Sequence, residues 1–441
     1  MQEQFSEHIN SHFSFLKDKK LLIAVSGGVD SVVITQLLHQ LNFTISAAHC
    51  NFRLRGVRSD EDENFVKKLA KQLRIPVFTK SFETGKIAQQ EKLSIQLAAR
   101  KLRYDWFHEL LAKNELDYII TAHHADDNLE TFLINTVRGT GLDGLTGIPT
   151  KNGNIIRPLL PFTKEQIENY AKDNAIDWRE DSSNAEINYL RNKIRHKIIP
   201  VLKELNPGLL TSFGQTIENL KGSRQIIDDR IQDIQKTLVI PAEAGIHKIN
   251  IEHLKNLNNP KAYLYELLKQ YGFTEWNDVT NLVEAQSGKQ VVSKTHRLLK
   301  DREFLLLTGL AAVNTTEKEY NITDKEEYLT IDNFEIRLTK QKTYNPQLSI
   351  ANLIYLDLDK LKFPLVVRKW KNGDYFYPLG MQGKKKVSKF FKDEKMSIVQ
   401  KENSWLLCSN NEIVWVIGKR LDDRYKVVDG TTNILKIEII K

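Results

Sequence analysis

The junction LLIAVSGGVDS, residues 21–31, constrains this chain more than any other stretch. An apolar run stops abruptly at Ser26-Gly27-Gly28-Val29-Asp30-Ser31, and a helical pattern over 31–41 starts directly after. Glycines between a strand and a helix let successive backbone N–H groups converge, and the helix N-terminus adds partial positive charge. Such a junction is suited to a phosphate. A plain turn with Ser31 as N-cap stays open on these residues alone. No lysine follows the glycines, so the GxxxxGK[ST] loop is absent, and GxGxxG is absent as well.

Around this junction, strand and helix signals alternate over the first 160 residues or so, as a parallel sheet requires. Strands are expected at 21–26, 44–49, 76–80, 118–122 and 155–159. Helices are expected at 31–41, about 60–73, about 92–113, about 126–137 and 163–174, by their apolar periodicity. The last opens with a capping box, Thr163 to Gln166. The class is therefore α/β, a doubly wound, mostly parallel five-stranded sheet whose ligand site lies at the carboxyl ends of its strands. From about 186 to 285 the pattern turns helical, with VIPAEAGIHK as a break. After about 325 short strands dominate (EEYLTIDNFEIRL, NLIYLDL, PLVVRKW, SWLLCS, EIVWVIG, ILKIEII). The expected division is 1–205 catalytic, 206–325 helical, and 326–441 small, basic and β-rich.

Composition enters through charge. The formal excess is +8, and between Lys362 and Lys401 eleven Lys/Arg stand against three acids, so this one segment equals the whole excess. Such clustering suits a polyanionic partner. Aromatics interleave it (Trp370, Tyr375, Phe376, Tyr377, Phe390, Phe391), and rings of this kind stack on unpaired bases, although at strand spacing about half belong to a core. No apolar run reaches a membrane span, and residues 1–20 carry acids without the apolar stretch of a secretory leader. The two cysteines, Cys50 and Cys408, are too far apart in sequence for a CxxC pair. A cytoplasmic setting follows as the expectation.

Four more stretches carry polar chemistry. In TAHHADDNLET (121–131), Asp126, Asp127 and Glu130 can share one helical face. Opposite a phosphate loop, that face can place Mg²⁺ between phosphates and carboxylates; capping is the plain alternative. Adjacent His123 and His124 in a strand would point to opposite sides, so one site histidine and no zinc is expected. RGTGLDGLTGIP (138–149) reads as a long flexible turn. Arg100 and Arg103 stand one helical turn apart. Arg191, Lys193, Arg195, His196 and Lys197 form a basic cluster that suits RNA phosphates or plain solvation.

SGGVDS at the end of a first strand resembles the SGGxDS signature of the PP-loop ATP pyrophosphatases. Further motifs resemble the tRNA(Ile)-lysidine synthetase family within them. These are HCNFRLRG at 49–56, ARKLRY at 99–104, HHADDNLET at 123–131, GTGLDGLTG at 139–147 and RPLL at 157–160. Trp178, EDSSN at 180–184, YLRNKIR at 189–195 and the basic C-terminal segment fit as well. Phe52 stands where many members have histidine. The resemblance implies an ATP-dependent ligase acting on the CAU-anticodon isoleucine tRNA with L-lysine and Mg²⁺. It implies ATP binding by Ser26, Gly27, Gly28, Val29, Asp30 and Ser31, and catalysis by Asp30, Asp127 and Glu130, with Mg²⁺ on Asp30 and Asp127. Arg100, Arg103, His123 and Asp126 would contact lysine or phosphate. Arg191, Arg195, Arg368, Lys384, Lys385 and Lys386 would contact tRNA. A homodimer is compatible with all of this. The rival within the superfamily is a tRNA thiolase, whose sulfur chemistry wants paired cysteines.

Overall fold

The computed structural model describes residues 1–179, 190–242, 246–310, 319–331, 334–344 and 352–440. The motif residues 180–184 and Tyr189 lie outside them. The chain falls into two compact units, Met1–Asp229 and Arg230–Lys441.

The first unit runs α1 (Gln2–His12), β1 (Lys20–Ala24), α2 (Val29–Gln40), β2 (Thr44–Asn51), α3 (Val57–Leu73), β3 (Val77–Ser81), α4 (Thr84–Gln90) and α5 (Ile95–Asn114). It continues β4 (Tyr118–Ile120), α6 (Ala125–Arg138), α7 (Leu142–Leu145), β5 (Lys151–Asn152), β6 (Ile155–Ile156), α8 (Lys164–Asp173), α9 (Leu190–Lys193) and α10 (Ile199–Leu205). The sheet order is β3-β2-β1-β4-β6-β5. The five expected strands are parallel neighbours, and the short β5, not foreseen, pairs antiparallel with β6.

Alternation along β1 explains the two covering layers. Leu21 and Ile23 join a core with Phe5 and Ile9 of α1, Val33 and Leu37 of α2, and Ile167 of α8. Leu22 joins the opposite core with Trp106, Phe107, Leu110 and Leu111 of α5. Helices on both faces fully bury Leu21, Leu22 and Ile23, which is why the strand reads as an apolar run. Strand order reverses between β1 and β4, so the loops leaving these two strands open a crevice between them. The loop after β1 is residues 25–28; the one after β4 is 121–124.

Apolar residues of α6 shape the rest. Leu129, Phe132 and Leu133 pack with Ile194, Ile199, Phe213 and Ile217. That contact folds the basic segment 190–199 back onto α6. Between α9 and α10 the helix widens to a π turn, Ile194–Ile198, followed by Pro200, which has no N–H to continue the ladder.

In the second unit the expected helical region is present as the end of Leu209–Leu238 and as Ile251–Lys255, Pro260–Leu268 and Trp276–Asn281. It also carries an antiparallel sheet ordered Val239–Ala242, Ile246–Asn250, Phe304–Gly309, His296–Asp301, Gln290–Val292. Two further sheets, of five and four strands, enclose a core containing Trp405, Trp415, Leu435 and Ile437. Phe376, Phe390 and Phe391 of the basic segment are buried together with Cys408. Three of its six aromatics are thus core, while Tyr375 is exposed.

Candidate active site

Gly27 takes φ +98°, a conformation that side chains rarely adopt, and Gly28 is the N-cap of α2. Hydroxyls stitch the loop from inside. Ser31 Oγ donates to the Gly28 carbonyl at 2.8 Å and accepts from the Ser26 amide at 3.2 Å. The Gly28 amide donates to Ser26 Oγ at 3.3 Å. Arg179 closes the outer side: its amide donates to the Gly27 carbonyl at 2.9 Å, and its guanidinium grips Glu61 and Asp62 of α3. The first-turn amides of α2 have no partner within the helix, and an anion satisfies such groups best.

Across the crevice, His124 is buried with three carboxylates around it. Its Nε2 lies 3.8 Å from Asp30 and 3.5 Å from Asp127, and its Nδ1 lies 3.7 Å from Asp126. β4 ends at Ile120, so the two histidines are not on a strand and do not diverge as expected. His124 joins the acids, while His123 Nδ1 meets Thr121 Oγ1 at 2.9 Å and still feels Asp127. Burial, helped by Arg157, Arg191 and Arg100 and opposed by Asp127, brings the His123 pKa down to about 4. His123 is therefore neutral at physiological pH.

Each acid has a cation within reach. Lys164 Nζ donates to both oxygens of Asp30, at 2.8 and 2.9 Å. Asp126 accepts from the Lys164 amide at 2.8 Å and from Lys203 Nζ at 2.9 Å. Burial pushes the carboxyls of Asp126 and Asp127 up. Lys164, Lys203 and His124 outweigh this for Asp126, and His124, His123 and Arg191 outweigh it for Asp127. Both acids end below the ordinary carboxylate range.

Glu130 departs from the expectation of a shared open face. It is 1% exposed, and its oxygens accept from Arg191 Nε at 2.8 Å and Arg195 Nε at 2.5 Å. Arg195 Nη2 also reaches Asp127 at 3.4 Å. Arg191 and Arg195, expected on RNA, are thus drawn into the acid cluster. Arg100 and Arg103 part company too: Arg100 stacks on Tyr104 at 5.0 Å, Arg103 on Phe52 at 5.3 Å. The end of the 138–149 stretch is closely packed. Gly147 has φ +75°, and a Cβ there would meet Asn128 Oδ1 at 2.3 Å. That carboxamide oxygen accepts from the Ile148 amide at 2.6 Å.

In the basic segment, Arg368 is only 15% exposed and forms two 2.9 Å bonds to Asp374. Lys385, 16% exposed, pairs with Asp393 at 2.7 Å. Lys384 and Lys386 are exposed, with Lys384 over the Tyr375 ring at 5.2 Å. Sequence reasoning missed Lys164, Arg179 and Lys203. Each lies far in sequence from the group it serves, and no local pattern marks it.

Residues 1–202 match a family described as a PP-loop domain, 242–310 a TilS substrate binding domain, and 365–439 a TilS substrate C-terminal domain. The tRNA(Ile)-lysidine synthase of Parabacteroides distasonis is 38% identical over 437 residues, covering 98% of each chain. That of Bacteroides thetaiotaomicron is 38% identical over 442 residues and 100% of each chain. That of Clostridium tetani is 32% identical over 96% of this chain and 95% of its own. With a phosphate loop facing an acid cluster and relatives matched end to end, the chain belongs to the tRNA(Ile)-lysidine synthase family.

Proposed function

We propose that this protein joins L-lysine to C2 of the wobble cytidine in the CAU-anticodon tRNA(Ile), changing its reading from AUG to AUA. The C2 oxygen attacks the α-phosphorus of ATP and diphosphate leaves. The ε-amine of lysine then attacks C2, and AMP departs with that oxygen. Adenylation supplies the leaving group that an amide-like carbonyl lacks. The observation that carries the reading is the meeting of the Ser26–Ser31 loop with Asp30, Asp126 and Asp127 at one switch point.

In this reading Ser26, Gly27, Gly28, Val29 and Ser31 hold the diphosphate part of ATP through amides and hydroxyls. Asp30 and Asp127 offer hard oxygens near His124 Nε2, and Mg²⁺ commonly takes one or two carboxylates together with substrate phosphates. When bound there, the cation neutralises phosphate charge; Lys164 and Arg195 hold those carboxylates otherwise. Ionised Asp127 attracts the lysine ammonium, which must lose a proton before it attacks. Glu130 keeps Arg191 and Arg195 aimed at this centre. Lys384, Lys386 and Tyr375 form an exposed patch suited to RNA. The three-part division 1–205, 206–325 and 326–441 is kept as the functional parsing.

The thiolase alternative has less support. Burial pushes the Cys50 thiol up to about 12 and the Cys408 thiol up to about 11, so neither is a ready sulfur nucleophile. Incubation with ATP, labelled lysine and the tRNA transcript tests the assignment. Label in RNA is expected, and its absence with all three reactants present overturns the reading.

A further inference from the structure

The second unit holds a cavity of about 780 Å³ that the chemistry above leaves unused. Alternation along the strand Phe304–Gly309 makes one wall. Leu305 and Leu307 enter the core on one side of this sheet, while Phe304 and Leu306 turn the other way and line the cavity. Phe334, Trp405 and Ile439, from the β-rich part of the same unit, supply the other wall. The walls are fastened together. Arg297, only 5% exposed, donates through both Nη atoms to Glu402, at 3.0 and 2.8 Å, and Arg302 Nη2 donates to the Lys395 carbonyl at 2.9 Å. Val399 packs with Leu299 and Leu306 beside them. A cavity held in this way is pre-formed, which spares a ligand the cost of ordering it. Its lining also carries charge. Lys248, Lys419 and Asp301 all contribute to it, and among the described residues none of the three forms an ion pair. Phe304 and Phe334 are half-buried, so each ring keeps surface for a ligand.

We propose that this cavity takes one unpaired nucleotide of the RNA substrate, its base against Phe304 and Phe334, its amino edge on Asp301 and its flanking phosphates on Lys248 and Lys419. The inference rests on the reading above that the substrate is an RNA, and its residues are separate from the Lys384–Tyr375 patch. Two lysines without counter-ions suit the phosphates on either side of a nucleotide, and aromatic rings suit its faces. Asp301 disfavours a lipid tail or a bare phosphate, and it selects among bases. A carboxylate accepts from the amino groups of adenine, guanine or cytosine, whereas the N3–H of uracil lies between two carbonyl oxygens that repel it.

The test is equilibrium binding to the full chain, which needs no turnover. Tetra-adenylate and tetra-uridylate, each carrying a fluorophore, are titrated and followed by anisotropy. The wild type should bind the adenylate at least ~5-fold more tightly. Asp301→Asn should bring the two within about twofold, because a carboxamide can also donate to uracil. Lys248→Ala with Lys419→Ala should weaken both about tenfold and flatten the salt dependence. Phe334→Leu, which keeps apolar volume, should weaken both at least ~5-fold. Should Phe334→Leu fail to fold, the lysine and Asp301 variants, which lie outside the core clusters, must still give their stated changes. Adenylate binding untouched in the lysine pair, or no base preference in the wild type, overturns the proposal. So does displacement of the adenylate by an equal concentration of ATP, which would make the occupant a free nucleotide. A dimer that Phe334→Leu dissociates in sedimentation would make it a second copy and overturns it as well. Binding as expected without labelling of the tRNA refutes the function and leaves the site standing; labelled tRNA with binding indifferent to these variants does the reverse.

Discussion

Lys164 holds both carboxylate oxygens of Asp30, at 2.8 and 2.9 Å, across 134 positions of sequence. The bond ties the start of α8 to the first turn of α2, and the Lys164 amide binds Asp126 on α6 at the same time. One residue thus sets the spacing of loop and acid cluster. Lys164→Met should lower kcat/KM for ATP by about tenfold or more, while costing at most ~1 kcal/mol of stability, since the pair is partly exposed. Steady-state kinetics beside urea unfolding separates the two effects. Loss of both in proportion would mean that Lys164 serves only the fold.

Glu130 is the buried hub of a three-residue ion cluster. Glu130→Ala leaves two guanidiniums facing a vacated site. It should cost about 2–3 kcal/mol, less than a fully buried pair because both arginines keep some solvent contact. Arg191→Ala leaves Arg195 on the carboxylate and should cost distinctly less. Denaturant midpoints for the two variants check the order, and equal costs would contradict it.

Gly147 and Gly139 have similar positive φ values, +75° and +73°, but different surroundings. A methyl at Gly139 meets open space, whereas at Gly147 it runs into the Asn128 carboxamide that holds the Ile148 amide. Gly139→Ala should cost about 1 kcal/mol and Gly147→Ala at least about twice that. Thermal unfolding of the pair is sufficient to compare them.

Acid lability should begin with histidines. Burial lowers His123 and His8 to about 4 from the ordinary 6.5, with His12 adding to the effect on His8; burial lowers His49 as well. Between those values the unfolded chain binds more protons than the folded one. Stability is therefore full above 6.5 and falls as pH drops toward about 4. Asp126 and Asp127, held below 3.8, add their loss only in more acidic solution. Urea midpoints across that window should decline with acid, and His8→Asn should flatten the slope. A midpoint constant from pH 6.5 down to about 4 would contradict the assignment.

In the basic segment, charge alone does not mark the RNA contacts. Lys384→Ala with Lys386→Ala should raise the KM for tRNA several-fold and reduce its salt dependence, leaving the KM for ATP unchanged. Lys385→Ala, removing a lysine already neutralised by Asp393, should do much less.

Much of this was legible in order along the chain. The buried strand β1, the glycine junction, the capping box at Thr163 and the acids of α6 are local patterns, and local patterns survive folding when nothing opposes them. What escaped were partners brought together by topology. The burial of Glu130 follows from Leu129, Phe132 and Leu133 packing on residues 194–217, a contact with no trace in the motif itself. The strands His296–Asp301 and Phe304–Gly309 escaped for a different reason. A short apolar run such as LLKDREFLLL suits a helix or a hairpin equally, and only the positive φ of Arg302 turns it. Gly147 reads as freedom but serves close packing against Asn128.

The central claim is that one crevice moves an adenylyl group onto RNA so that lysine can displace it. Release of diphosphate and AMP should be followed with ATP and the CAU-anticodon tRNA, with and without lysine. The account predicts diphosphate on adding the tRNA, and AMP release with lysine-labelled RNA only once lysine is present. AMP formed at the same rate without lysine, or without tRNA, would contradict it.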